Sequence, residues 1–201
     1  MIRLIPIAYA QFTWLRFAKQ NAVPLPYLRT MPSSRPMNLD EIPAPLELHQ
    51  ETVLPEWIDY NGHMNVAFYV LAFDHATDAM LEFLKITRDY KTKANTTTFV
   101  AEMNVSYVKE VHEGDPLRFT TRILNCDDKK IHFWHEMYHA TEGYLAATNE
   151  LLSLHIDLTT RRVGPMTPEI AQWVNKIRIQ HSKLPTPEGI GRLIGMKRPS
   201  N

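Results

Sequence analysis

Hydrophobic residues recur along the middle of this chain with two different periods, and the longer period defines a helix. Between positions 66 and 86 they are spaced by three and four residues, as on one face of an amphipathic helix. Residues 66–73 are apolar on every side, and neither Gly nor Pro interrupts the run. We therefore predict one long helix over 66–86 that is buried at its N-terminal end.

Strand-like segments with a period of two flank this helix. An imperfect alternation over 46–54 precedes it and stops at Pro55. Four longer segments follow, separated by polar turns: 99–108, 117–123, 131–138 and 144–158. The last of them should return through a turn into a short strand near Val163. One buried helix with an antiparallel sheet curled around it accommodates every segment, which predicts an α+β fold.

The two ends of the chain differ in composition from the middle. Residues 1–39 carry five basic side chains and no acidic one, and 31–36 is typical of a linker. A transit-like peptide, a surface helix, or upstream sequence ahead of a start at Met37 all fit this segment. We predict a basic extension outside the core over 1–39, the main domain over 40–165, and a C-terminal region over 166–201 that contains a helix near 168–180 followed by a loosely ordered tail.

Charge and cysteine content exclude several classes of partner. The 22 basic and 22 acidic residues cancel, so no overall field favours nucleic acid or an anionic membrane. The segment 2–17 is too interrupted by polar residues to span a bilayer. A single cysteine, Cys126, excludes an intramolecular disulfide and favours a reducing, cytoplasmic compartment.

One metalloprotease-like motif is predicted to be a false match. His135 and His139 satisfy the pattern His-Glu-x-x-His, whose two ligands must lie one helical turn apart. The β-branched and aromatic neighbours predict a strand instead, in which the two side chains lie about 13 Å apart. We therefore expect no metal, and the other histidines show no ligand spacing along the chain.

The strongest chemical signal lies directly before the predicted helix. Asp59 precedes an Asn-Gly turn at 61–62, and Asn65 is suited to cap the helix. The first N–H groups of a helix have no intrahelical acceptor and can polarise a carbonyl oxygen. Asp59 could then act on that carbonyl as nucleophile or, through water, as general base. A purely structural turn with a helix cap would produce the same residues.

The run Asp-x-x-Gly-His-x-Asn at 59–65, followed by the helix and strands, resembles the active-site signature of the hot-dog fold, 4-hydroxybenzoyl-CoA thioesterase-like family. The resemblance covers about residues 46–165. Four segments are also similar to the betainyl-CoA thioesterases of bacterial carnitine breakdown: 57–66, 111–115, 133–137 and 146–150.

This resemblance implies an acyl-CoA thioesterase that needs no metal or organic cofactor and works as a homodimer or larger homo-oligomer with its site between subunits. The catalytic carboxylate falls on Asp59, with Gly62 and His63 in the turn. The polarising N–H falls near Asn65 or Val66. Family members often have a second Asn where this chain has Val66, so any role of that side chain is absent here. A non-catalytic hot-dog module that binds acyl-CoA or an acyl carrier is the alternative.

Substrate contacts are predicted for three further groups of residues. Aromatic rings near the motif could face a quaternary ammonium group: Trp57, Tyr60, Phe68 and Trp134. Polar side chains of the strand over 99–108 could approach from a facing subunit: Glu102 and Asn104. Basic side chains at two turns could hold the phosphates of coenzyme A: Lys129, Lys130, Arg161 and Arg162.

Overall fold

The computed structural model describes residues 39–195, so the predictions for the preceding extension and for 196–201 lie outside the described residues. The strands are β1 (Leu46–Thr52), β2 (Thr96–Tyr107), β3 (Pro116–Cys126), β4 (Lys130–His139), β5 (Leu145–Asp157) and β6 (Arg162–Val163). The helices are α1 (Val66–Phe83), α2 (Arg88–Ala94) and α3 (Pro168–His181). The antiparallel sheet has the order β1-β3-β4-β5-β2, and β6 pairs with β5. The predicted α+β hot-dog architecture is confirmed.

Local signals fix where α1 begins and where it ends. The Asn65 side chain accepts a hydrogen bond from the N–H of Ala67 at 3.0 Å, as a helix cap does. The helix stops before Lys85, whose φ of 63° is left-handed. The prediction of a helix to residue 86 was therefore too long, and the separate helix α2 was missed. The hydrophobic pattern misled because Leu84 and Ile86 stay buried beyond the helix end.

The buried face of α1 packs on the concave face of the sheet through small and aromatic side chains. Ala72 and Ala76 are almost fully buried, and their small size lets the helix approach the strands closely. Between them, Phe73 meets the ring of Phe119 edge-on at 5.9 Å and stacks on His135 of β4 at 6.0 Å. These two ring contacts fix the rotation of α1 about its axis, because turning another face of the helix towards the sheet would bury charged side chains.

The C-terminal helix α3 shares the core of the main domain. Ile170, Val174 and Ile177 belong to the same buried cluster as Met80 of α1 and Phe133 of β4. Hydrophobic contacts therefore continue past residue 165, and the amphipathic face of α3 covers one end of the sheet.

The segment after α3 crosses the sheet on the face opposite α1. Arg122 donates a hydrogen bond to the carbonyl of Pro185 at 2.9 Å. The N–H of Gly191 donates to the Glu150 carboxylate at 2.8 Å, and the Asn104 amide donates to the carbonyl of Arg192 at 2.7 Å. This part of the tail, predicted to be loosely ordered, is thus held against three strands.

The His-Glu-x-x-His motif lies in β4, so the strand prediction is confirmed. His135 is fully buried between two threonines, with Thr77 at 3.0 Å and Thr121 at 2.8 Å. The Thr77 hydroxyl already donates to the carbonyl of Phe73 at 2.9 Å, so it must accept from Nε2–H of His135. In the neutral imidazole, Nδ1 carries no proton and accepts a hydrogen bond from the Thr121 hydroxyl. No helix among residues 39–195 combines the length and apolar character that a membrane span requires.

Burial lowers the pKa of His135 to about 3, with a further contribution from the charge of His49. Between pH 6.5, the ordinary histidine value, and about pH 3, the unfolded chain binds a proton here and the folded chain does not. We expect the free energy of unfolding to fall by up to about 1.4 kcal/mol for each pH unit below 6.5 from this residue alone. The free energy of unfolding, measured by denaturant titration at pH values from 7.5 to 5, should change less with pH in His135→Leu than in wild type. The half-exposed His112, changed to Gln, is the control, and an unaltered slope in His135→Leu would contradict the assignment.

Candidate active site

A tight hairpin over residues 58–64 holds Asp59 in front of α1. Ile58 and Met64 form an isolated antiparallel bridge. Inside it, the N–H of Gly62 donates to the carbonyl of Asp59 at 3.0 Å, and the N–H of Asn61 donates to the Asp59 carboxylate at 2.7 Å. Gly62 has a φ of +85°, which side-chain-bearing residues rarely adopt. The backbone therefore fixes the carboxylate without help from another side chain.

The same hairpin leads directly into the start of α1. The N–H of Asn65 donates to the carbonyl of Trp57 at 2.9 Å, and the Asn65 side chain caps the helix. Within the described residues, the N–H of Val66 donates no hydrogen bond, and Val66 is 58% exposed. Asp59 is half-buried. A carboxylate and an unused helical donor thus remain open to a ligand on neighbouring parts of one short segment.

Aromatic side chains form one wall beside this segment. The rings of Trp57 and Phe68 stack at 5.7 Å with an interplanar angle of 12°, and Trp57 is buried. Tyr60, by contrast, projects from the turn and is 97% exposed. Of the four predicted aromatic residues, Trp57 and Phe68 are therefore packed together at the helix start and Tyr60 extends into solvent.

Sequence reasoning missed Tyr107, at the end of β2. Its hydroxyl lies 3.4 Å from the carbonyl of Val66, and its ring meets Tyr69 edge-on at 5.1 Å. Burial raises the pKa of Tyr107. The alternation along β2 could have placed Tyr107 on the face towards α1, but the pairing of that strand end with the helix start was not visible from sequence.

The His63 side chain is directed towards Glu110 and not towards Asp59. Its Nε2 lies 3.9 Å from a Glu110 carboxylate oxygen, and both side chains are partly exposed. The contact with Asp59 is through the backbone, where the N–H of Asp59 donates to the carbonyl of His63 at 3.1 Å. This geometry suits a role in holding the turn.

Three predicted substrate-binding residues lie on the sheet face opposite α1. Trp134 alternates with Phe133 and His135, which both face the core, and it is covered by the tail near Gly189. Glu102 and Asn104 share that outer face, because Asn104 pairs with Glu150 of β5 and binds the tail. Within one chain the structure therefore does not bring these side chains together with Asp59. The side chains of β2 that face α1 occupy the position that was expected for Glu102 and Asn104.

The predicted coenzyme A contacts gather at the far end of the sheet. The carbonyl of Lys129 accepts a hydrogen bond from the N–H of His155 at 2.7 Å, and Arg162 pairs with Asp157. Tyr107 marks the Asp59 end of β2, and it is eleven residues from Thr96, which pairs with Asp157. That separation is about 35 Å in an extended strand. One chain alone thus keeps these cations away from its own Asp59.

The profile of the thioesterase-like superfamily matches residues 53–174, which include the hairpin, α1 and every later strand of the sheet. The chain belongs to the thioesterase-like superfamily. The resemblance noted from the 59–65 motif is thereby confirmed, and so is the predicted activity class, a thioester hydrolase.

Two curated proteins are also similar to this chain. The chain is 35% identical over 151 residues to a betainyl-CoA thioesterase of Pseudomonas aeruginosa, covering 75% of this chain and 95% of that protein. It is 32% identical over 155 residues to an L-carnitine dehydrogenase/betainyl-CoA thioesterase of Rhizobium meliloti, covering 77% of this chain but 31% of that longer protein.

Solved structures of other proteins show the same architecture. A putative thioesterase from Pseudomonas putida is 29% identical, with a TM-score of 0.66, and the match covers 77% of this chain and 98% of that one. A Staphylococcus aureus protein solved in complex with CoA has a TM-score of 0.71 at 24% identity, covering 82% of this chain and all of that one. The second likeness supports the fold alone.

Replacing Gly62 with Ala should test the turn separately from its chemistry. A Cβ at this position would meet nothing within 4 Å, so the cost comes from the positive φ alone. We expect a loss of about 1 to 2 kcal/mol in the free energy of unfolding, together with a fall in hydrolysis as Asp59 is displaced. Gly195→Ala, which also meets open space but without a positive φ, is the matched control. Equal stability of the two variants would show that the turn is not strained by a side chain.

Proposed function

We propose that this thioesterase hydrolyses an acyl-CoA ester, with Asp59 as its catalytic carboxylate and the first N–H groups of α1 as the donors that polarise the thioester carbonyl. The observation that supports this most directly is the 58–64 hairpin. It presents a half-buried carboxylate just ahead of a helix start whose Val66 N–H is unused. A carbonyl oxygen bound there would gain charge as the tetrahedral intermediate forms, and the helix start would stabilise it.

Two routes fit this arrangement. In the first, Asp59 removes a proton from water, the hydroxide adds to the thioester carbon, and the C–S bond breaks as the thiolate of CoA leaves and takes up the proton. In the second, Asp59 itself adds to the carbon and expels the thiolate, and water then cleaves the resulting anhydride. Both routes give free acid and CoA, and both require the negative charge of Asp59.

Betainyl-CoA is the substrate that the relatives favour. Two curated relatives with that substrate in their names align with more than 70% of this chain. The Trp57–Phe68 stack supports the same choice, because aromatic faces attract quaternary ammonium groups. A non-catalytic module that only binds acyl-CoA would share the fold but would leave the ester intact.

We further propose that the working unit is a homodimer joined through β2. This strand ends the sheet and exposes apolar side chains: Val100, Met103 and Tyr107, each 40–49% exposed. Pairing of two β2 edges would satisfy their backbone groups and cover this surface.

Antiparallel pairing of two β2 strands would also bring the two halves of the predicted site together. The Tyr107 end of one strand would meet the Thr96 end of the other. The guanidinium of Arg161 lies 5.6 Å from the ring of Phe99, close to that second end. The basic turns of one subunit would then approach the Asp59 of the other, where the phosphates of coenzyme A could be held.

The first test removes the charge of Asp59 while keeping its shape. Wild-type protein is screened against short, polar, quaternary-ammonium and aromatic acyl-CoA esters, and Asp59→Asn is compared on the best of them. We expect kcat to fall about a hundredfold or more with little change in melting temperature. Glu56→Gln, an exposed carboxylate three residues earlier, should retain full activity. Normal turnover by Asp59→Asn would eliminate the assignment, and binding without hydrolysis by the wild type would favour the non-catalytic module.

The second test asks whether each site uses two subunits. Asp59→Asn chains are co-expressed with chains in which Arg161 and Arg162 are both changed to Glu, using different tags. In mixed dimers one composite site is intact, so random mixing should restore about a quarter of the wild-type sites, measured at substrate concentrations below KM. An activity equal to the sum of the two parents, or a fully active monomer in sedimentation, would refute the shared site.

A further inference from the structure

Strand β1 meets the middle of α1 at a cluster of three metal-binding side chains. His49 and Glu51 come from β1, and His75 comes from the third turn of α1. One donor atom from each lies within 4.8 Å of the other two. All three side chains are largely enclosed, between 15% and 23% exposed.

A β-bulge in β1 is what aims two of these side chains at α1. Leu46 pairs with Thr121 and His49 pairs with Phe119. An advance of three residues along β1 therefore matches an advance of only two residues along β3. Phe119 and Thr121 both face α1, and Leu46 and His49 therefore face it too. In a regular strand, residues three apart point to opposite faces. Bulges are a common way for a sheet to redirect a side chain towards a functional site.

The distances within the cluster suit a metal ion. Nδ1 of His75 lies 2.8 Å from one Glu51 oxygen, and Nε2 of His49 lies 3.3 Å from the other. These latter two atoms are buried, and neither has a hydrogen-bond partner among the described residues. In a tetrahedral zinc site with bonds of 2.0–2.1 Å, neighbouring ligand atoms lie about 3.3 Å apart. The two contacts with Glu51 lie at or just below that spacing, and the three donors, which all lie within 4.8 Å of one another, need to move by about 1.5 Å at most to reach it.

The surrounding charges favour a cation. His75 is acted on by the carboxylates of Glu51, Asp74 and Asp78, the last two lying on the same helix. His49 packs against the ring of Phe119, and the Trp57 ring lies 6.5 Å from that of His75. A positive ion would therefore be partly neutralised by acidic groups and shielded by aromatic rings from exchange with solvent.

We propose that His49, Glu51 and His75 bind a divalent transition-metal ion, of which zinc is the representative, and that the ion clamps β1 to α1. Two imidazoles and one carboxylate, with a fourth position for water, are a common ligand set for such ions. The ion would hold the strand that leads to the Asp59 turn and would take no part in the hydrolysis itself. The proposal departs from the sequence-based expectation of no metal, and it does not depend on the proposed substrate.

The test is metal binding by the full chain after treatment with a strong chelator. Zinc is titrated in competition with a chromophoric chelator, and melting temperature is followed with and without zinc. We expect one zinc per chain and a melting temperature that rises with zinc concentration. His49→Ala and Glu51→Gln should each weaken zinc binding about a hundredfold or more and abolish the rise. His132→Ala is the matched control, because His132 pairs with Glu150 at 2.8 Å outside this cluster.

X-ray absorption of the zinc-loaded wild type provides a second readout that does not depend on a variant folding. Only nitrogen and oxygen ligands near 2.0–2.1 Å are expected. A sulfur ligand would show that Cys126 captures the ion and would overturn the proposal. The proposal also fails if zinc does not bind in stoichiometric amount, or if His49→Ala binds it as tightly as His132→Ala does. A chain that binds no zinc yet hydrolyses acyl-CoA would refute the clamp and leave the thioesterase function intact.

Discussion

The packing of α1 into the curved sheet is the contact on which the rest of the molecule depends. Phe73, between Ala72 and Ala76, meets Phe119 and His135 and so sets both the depth and the rotation of the helix. A helix fixed in this way points its N-terminus in one direction, and its dipole and unused N–H groups point there as well. The hairpin before the helix gains rigidity from the same core, because Met64 at its end belongs to the buried cluster that contains Phe73 and Phe119.

Within the seven residues of the 58–64 hairpin, the residues that hold its shape differ from the residue that is proposed to react. Trp57 before it and Met64 at its end are buried and anchor it, while backbone hydrogen bonds and Gly62 define its shape. Asp59 is left with an oxygen that accepts only a local N–H and with access to solvent. A carboxylate held by backbone in this way keeps an oxygen available for a ligand, because no side chain among residues 39–195 forms an ion pair with it.

The sequence predicts this region well because its signals are local. A turn glycine, a capping asparagine and an uninterrupted apolar run each act within a few residues. The features that sequence missed depend instead on register. The bulge that turns His49 towards α1, the outer-face position of Glu102 and the 35 Å that separates the basic turns from Asp59 all follow from which strand residues pair. A one-residue shift in pairing would move His49 and Glu102 to the other face of the sheet, and no pattern along a single strand reports that shift.

The two edge strands of the sheet, β1 and β2, differ in how well they could pair with another strand. β1 is short, bulged and polar on its outer face, with His49 and Glu51 turned inward against α1. These are the features by which natural sheets prevent edge-to-edge pairing. β2 is twelve residues long and exposes apolar side chains, so it retains a surface that favours pairing. The proposed dimer therefore uses β2, the edge whose last residue contacts the start of α1. The edge that precedes the Asp59 turn is closed by its own side chains. In the proposed dimer, this asymmetry would let one edge stabilise the turn while the other edge completes the pocket.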